Sequence, residues 1–361
     1  MYMVKKNENA YFVASNSAKG FFSYYPLCFD RERIGRVFAI KGGPGTGKSY
    51  FMRAVAKAGE GDGWRVDYIY CSSDPHSLDG IILKKDGEKD IALLDATAPH
   101  QYEPSRPGTR EEIVNLGAFW NSERLRAQGD TIEALCRQKS DAYRQAYRFL
   151  SAVGDMERTH DELVAPHVRR TAIEKYAERL MRQIDDGTGY EVETALIHSV
   201  GMYGRISFDT YLSSASHILR IEDCHGSAQY LMQALGECAV RKNLSIRVSH
   251  DPISPEKIDG LFLCESGVAI VILDESACEY PHRTVSMRRF VDVSQLQKIR
   301  PSLNYASRMK RAMLDGAIER LEKVRRVHFS LERIYISAMD FEEKEKYTKR
   351  FCERLFDLKN E

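Results

Sequence analysis

The chain has no uninterrupted apolar run longer than a strand, no C-x-x-C pair or Cys/His cluster at zinc spacing, and almost no net charge. Each absence excludes a class of protein. A bilayer-spanning helix needs about 20 apolar residues in a row, and Lys5 and Lys6 are not followed by a hydrophobic signal segment. The expected location is cytoplasmic, with no membrane partner. Eight cysteines without metal spacing read as reduced, mostly buried thiols, and imply no metal beyond a nucleotide-bound Mg²⁺. A formal charge of +1 argues against a protein coated by nucleic acid.

What is present is more specific. Gly42-Gly43-Pro44-Gly45-Thr46-Gly47-Lys48-Ser49 fits the phosphate-binding P-loop pattern and follows an apolar run, Val37 to Ile40. A triphosphate needs a concave set of backbone N–H donors at a helix N-terminus, where unpaired amides and the helix dipole favour an anion. Gly43, Gly45 and Gly47, with Thr46, give a loop whose backbone phosphate oxygens can approach. Lys48 is placed to reach the β and γ phosphates and the Ser49 hydroxyl to bind Mg²⁺. Tyr50 opens the following run to Lys57, which has the composition of the helix the motif requires.

A second copy of the pattern recurs about 180 residues later. Aligning Ile40 to Val55 with Arg220 to Leu235 puts Tyr50 on Tyr230, Met52 on Met232 and Ala54 on Ala234. Further on, Leu78-Asp79-Gly80 falls on Ile258-Asp259-Gly260, and Asp95 on Asp274. We read this as duplication. In the second loop Ala228 stands for Lys48 and Gln229 for Ser49, while Glu222 and Asp223 would repel a phosphate. This half is not expected to bind a triphosphate in the usual way.

The length of 361 residues, 43% of them hydrophobic, suits two cores. In the first half, strand 36–41, helix 48–58, strand 65–71, a hairpin of 81–83 with 90–95 and a loop to about 115 predict an α/β three-layer sandwich with a mainly parallel sheet. Helical spacing then runs from Asn121 to about Arg182, with Gly154 and Pro166 marking joins or bends. Residues 302–335 and 340–357 repeat this plan. The expectation is two tandem P-loop NTPase-like cores, each followed by a long antiparallel helical hairpin, about 118–185 and about 294–357. Asp185 to Gly189 is the best linker, dividing residues 1–187 from 188–361.

Asp95 ends an apolar strand and is the candidate Walker-B carboxylate for Mg²⁺. Asp74 follows strand 65–71, and His100, Glu103 and Arg106 follow Asp95; Asp74 and His100 are the further catalytic candidates, to orient water or contact the γ-phosphate. Arg283, Arg288 and Arg289 are candidate arginine donors from the second half. The basic stretch from Lys298 to Arg326 is a solvated helix face or a contact for an anionic partner such as nucleic acid.

Together, Gly42 to Ser49, Cys71-Ser72-Ser73-Asp74, Ser77-Leu78-Asp79-Gly80, Asp95-Ala96-Thr97-Ala98-Pro99-His100 and Glu111 to Gly117 resemble a poorly characterised bacterial family of tandem P-loop ATPase-like proteins. The resemblance spans essentially the whole chain and implies two P-loop cores and ATP binding, without a pathway. Members of that family often keep a P-loop in the second half, and Ala228 and Gln229 depart from that pattern. The loop also resembles that of AAA+ ATPases, in which a glutamate follows the Walker-B aspartate; here residue 96 is alanine, and the Asp-Glu pair is Asp274-Glu275 in the degenerate half. No N-K-x-D guanine-reading motif occurs.

The expected function is that of a Mg²⁺-dependent ATPase whose nucleotide state changes domain packing and the binding of a protein partner. A phosphotransferase using ATP as donor and a non-hydrolysing ATP sensor are the alternatives.

Overall fold

The computed structural model describes residues 2–4, 8–29, 33–98, 102–274 and 278–357. The first half contains β1 (Tyr2–Val4), β2 (Asn9–Phe12), the hairpin β3 (Ala14–Ser17) and β4 (Gly20–Ser23), α1 (Tyr25–Cys28), β5 (Ile34–Lys41), α2 (Lys48–Gly61), β6 (Arg65–Tyr70), β7 (Leu78–Lys84), β8 (Asp90–Asp95) and β9 (Glu111–Asn115). Three helices follow: α3 (Ser122–Arg126), α4 (Gly129–Val164) and α5 (Arg170–Met181). The second half contains β10 (Val192–Thr194), the hairpin β11 (His198–Gly201) and β12 (Gly204–Phe208), α6 (Thr210–Ser214), β13 (His217–Glu222), α7 (Ala228–Arg241), β14 (Ile246–His250), β15 (Ile258–Leu263), β16 (Val268–Ile272) and β17 (Arg283–Ser286). It ends in α8 (Val293–Lys298), α9 (Arg300–Ala338) and α10 (Phe341–Asp357).

The chain is a mixed α/β protein, and its two six-stranded sheets share one plan. The first runs β2-β6-β7-β8-β5-β9 and the second β10-β14-β15-β16-β13-β17. In each, one antiparallel strand, β7 or β15, interrupts an otherwise parallel sheet. Details repeat as well. The register shifts between Ile69 and Tyr70 in β6 and between Ser249 and His250 in β14. Both hairpins turn through a glycine at positive φ, Gly20 and Gly204, a conformation that costs glycine no Cβ clash.

Helices cover both sheets, and on the second Tyr211 and Leu212 of α6 pack with Phe262, Ala269 and Val271 on the face opposite to α5 and α7. Phe51, Met52 and Val55 of α2 and Phe351 and Leu355 of α10 bury against the first sheet, with Phe351 5.0 Å in ring-centroid distance from both Phe38 and Phe51. On the second sheet α7 packs with Ile173, Tyr176, Ala177 and Met181 of α5. The halves join directly: Phe12 and Leu196 exchange backbone hydrogen bonds of 2.8 and 2.9 Å.

The long helices do not fold back as hairpins within each half. Ala146, Leu150 and Val153 of α4 share a buried cluster with Leu314, Ala317 and Leu321 of α9, and the two helices run antiparallel. At one end the Asn121 amide donates to Ala338 O, and at the other the Asp292 amide donates to His167 O. Pro166 turns the chain out of α4 toward the second sheet, so α5 covers the second core while α10 covers the first. A narrow apolar stripe requires a covering helix, and the cover here comes from the other half. Gly154 does not interrupt α4; its bare Cα faces Ala18, whose methyl lies 2.5 Å from where a Cβ would stand.

Residues 111–115, expected within a loop, form the edge strand β9 beside β5. The basic stretch lies on α8 and α9. There Lys310 pairs with Glu157, and Arg320 and Arg325 lie over the rings of Phe149 and Tyr203. All eight cysteines are free, three of them buried, three half-buried and two exposed. Among the described residues no helix is long and apolar enough to cross a membrane.

Candidate functional site

The glycine-rich loop joins the end of β5 to the first turn of α2, so the unpaired amides of that helix open onto it. Gly45 and Gly47 hold φ of 72° and 79°. Gly47 occupies the N-cap position and no side chain caps the helix. Thr46 is fully buried and its hydroxyl donates to Gly43 O at 2.9 Å, which braces the loop from inside.

Lys48 and Asp95 meet in this loop. The Lys48 ammonium donates to Gly42 O and Gly43 O at 3.0 Å and lies 3.5 Å from Asp95 Oδ2. Asp95 stands there because β8 pairs directly with β5, Ile40 opposite Asp95. Its other oxygen accepts the Thr97 amide at 2.8 Å. Burial pushes the Asp95 carboxyl up, against the Lys48 charge and the Thr97 hydrogen bonds, which pull it down. Ser49 Oγ accepts the Leu78 amide at 3.0 Å, tying the loop to β7. Tyr50 is 57% exposed.

The other predicted residues divide. Asp74 lies in the turn between β6 and β7, accepts the His76 amide at 3.0 Å and sits in the fields of His328 and Glu332 of α9. Burial pushes its carboxyl up, opposed first by the His76 amide. Glu103 is the partner of Lys41 at 2.8 Å, next to the loop, and the Arg106 amide donates to Glu111. His100 and Glu275 lie outside the described residues. The candidate arginines are elsewhere: Arg283 is on β17, Arg288 is in the turn after it, and Arg289 lies over Tyr176 and Phe290 in the second core.

The sequence reading missed the helices that close the site. A Cβ on Gly43 would stand 2.7 Å from the Tyr335 ring, and one on Gly45 only 2.8 Å from Glu332 O. The last turns of α9 therefore rest on the outer face of the glycine loop. Lys139 of α4 approaches His328 Nδ1 at 3.3 Å, and Lys344 of α10 reaches over Tyr50. None of these residues carries a local motif; only their helical phase was legible.

In the second half the equivalent loop has its own anion. The Asp223 carboxylate accepts the amides of Gly226 and Ala228 at 2.7 and 2.8 Å, taking donors at the start of α7 that a phosphate would need. Beside it opens a cavity of about 690 Å³ lined by charged side chains, Arg205, Arg220, Asp259 and Asp274 among them. Two of the groups around it are shifted, the imidazole to neutral at pH 7 and the carboxyl to half-ionised there. Burial raises Asp259 to about 7, and lowers His198 to about 4.

Hard-oxygen donors suited to Mg²⁺, the Ser49 hydroxyl and the Asp95 carboxylate, flank Lys48 in the first half. Among the described residues no group of three or more His, Cys, Asp or Glu gathers as a metal site. An ion here would complete its shell with water or phosphate oxygens. No family model, curated protein or solved structure matches this chain.

Proposed function

We propose that the first half is a P-loop NTPase-like core that binds ATP with Mg²⁺ and hydrolyses it, and that the second half is a degenerate copy. One observation carries this reading: an uncapped, glycine-rich turn leads from β5 into α2 with Lys48 3.5 Å from a carboxylate on the neighbouring strand. Amides of the loop would cradle the phosphates, and Lys48 would leave its carbonyl partners to neutralise them. Ser49 and Asp95 would hold Mg²⁺, which supplies charge neutralisation on the phosphoryl oxygens.

Nucleotide state would reach the helices through contact. Because α9 rests on Gly43 and Gly45, a loop that reshapes around phosphate moves the surface on which Tyr335 and Glu332 sit. The α4–α9 pair extends from this loop to the cavity of the degenerate half, where Glu157 and Lys310 face it. A protein partner that reads the position of these helices is the consumer we propose.

A non-hydrolysing sensor is the second reading, favoured by Ala96. This buried methyl follows Asp95 where a water-polarising carboxylate is absent. Equilibrium titration of ATP and Mg²⁺ into wild type and Lys48→Ala tests the shared claim. Loss of binding by tenfold or more is expected, and equal affinity would refute the site.

A further inference from the structure

Lys344 is an unusual lysine. It lies in the first turn of α10, a helix of the second half, and is only 3% exposed. Its Nζ is 3.1 Å from where a Cβ on Gly47 would stand and 4.4 Å from the Tyr50 ring centroid. Gly47 is the N-cap of α2, so the ammonium sits at the positive end of that helix dipole. Among the described residues it makes no ion pair or hydrogen bond through Nζ. Burial pushes its pKa down, opposed only by its chain neighbour Glu345.

An ammonium held at a helix N-terminus without a counter-ion, its stem buried and only its tip reaching solvent, is unfavourable unless an anion joins it. The comparison between halves points the same way. The bridges Trp120 with Met339 and Val168 with Val291 are counterparts, as are the bonds from Asp340 N to Phe119 O and from Arg169 N to Phe290 O. This correspondence sets Tyr176 at the place of Tyr347, and Ile173 at the place of Lys344. Where the cradle is filled by Asp223, the facing helix offers an isoleucine buried in the core. Where the cradle is uncapped, it offers a lysine.

We propose that Lys344 is a phosphate ligand of the first-half nucleotide site, so that the second half completes that site through α10. The proposal rests on the P-loop reading above and adds a residue to it. Tyr50 serves as its platform: the ring holds the ammonium by a cation–π contact until phosphate oxygens replace it.

The test is calorimetric titration of ATP with Mg²⁺ into the full chain as wild type, Lys344→Gln, Lys344→Arg and Lys48→Ala, with urea unfolding of each without nucleotide. Lys344→Gln is expected to weaken ATP about tenfold, as for loss of one charge-assisted contact. Lys344→Arg is expected to restore most of that affinity. Without nucleotide, Lys344→Gln should unfold at the wild-type urea midpoint or above, because a charge without a counter-ion has been removed from the positive end of α2.

Affinity within twofold of wild type in Lys344→Gln, with Lys48→Ala impaired, would overturn the Lys344 proposal and leave the P-loop reading standing. The reverse pattern would move the nucleotide off the P-loop while keeping the Lys344 contact. A wild type that binds no ATP would overturn both.

Discussion

Asp67 and Arg247 occupy the same place in the two halves, two residues ahead of matching register shifts in β6 and β14, and they meet, with Arg247 Nη2 3.7 Å from Asp67 Oδ2. Residues that meet their own counterpart lie close to a two-fold pseudo-axis. Around the pair gather Lys84, Glu193 and Arg33, with Arg247 Nε 2.8 Å and Arg33 Nη1 2.7 Å from Glu193. Two identical copies would place like charge on like charge here; the opposite charges of Asp67 and Arg247 fit the halves to each other within one chain.

Removing Arg247 should therefore cost more than an ordinary surface charge. Arg247→Met removes one of the two cations facing Asp67 and one of the three facing Glu193 in a mostly buried setting, and about 1.5–3 kcal/mol of destabilisation is expected. Urea unfolding at pH 7 measures it; a loss below about 1 kcal/mol would make the network incidental.

The same network gives an acid limb. Burial pushes the Glu193 carboxyl up, but Lys84, Arg247 and Arg33 outweigh it and hold it at about 2 in the folded chain, against 4.5 for a free glutamate. A carboxyl depressed on folding contributes stability above its unfolded pKa and loses it as pH falls through the folded one. Stability should drop between about pH 4.5 and 2, and Glu193→Gln should flatten that part of the curve.

Asp259 has the opposite sign. Burial raises it from 3.8 to about 7, and its Oδ1 has no hydrogen-bond partner among the described residues. A carboxyl raised on folding costs stability as pH climbs through that interval. Asp259→Asn is expected to stabilise by on the order of 1–3 kcal/mol at pH 8 and far less at pH 4. Thermal unfolding at the two pH values distinguishes this from a packing effect, which would not vary with pH.

Asp223 caps α7, so Asp223→Ala should cost about 1 kcal/mol. It should not create an ATP site, because Ala228 and Gln229 still replace the lysine and the hydroxyl. Titration of the Lys48→Ala, Asp223→Ala double variant with ATP checks this; binding by it would show that the capping carboxylate alone silences the second loop.

The legible part of this molecule was the part whose partners are close in sequence. The strand β5, the turn at Gly42 to Gly47 and the helix α2 lie where the sequence places them, because turn chemistry and period are local. Strand β9 did not, since Glu111 and Glu112 disguise it and Ile113 on this edge is 55% exposed. Burial of Glu111 is compensated by the Tyr102 hydroxyl and the amides of Ser105 and Arg106. The exchange of α5 and α10 was invisible for a deeper reason. The stripe Ala146, Leu150 and Val153 states that a helix must cover it but not which one, and Lys344 sits in a charged run that reads as a solvated face.

The central claim is that the first loop turns over ATP. A time course of ATP, ADP and free phosphate with the full chain and Mg²⁺, run beside Lys48→Ala and Asp95→Asn, tests it most directly. We expect phosphate release by wild type and a loss of about 10²-fold or more in both variants. ADP formed without free phosphate would point to transfer onto an acceptor, and ATP retained unchanged to a sensor. Equal release by wild type and both variants would contradict the account, because the activity would then owe nothing to Lys48 or Asp95.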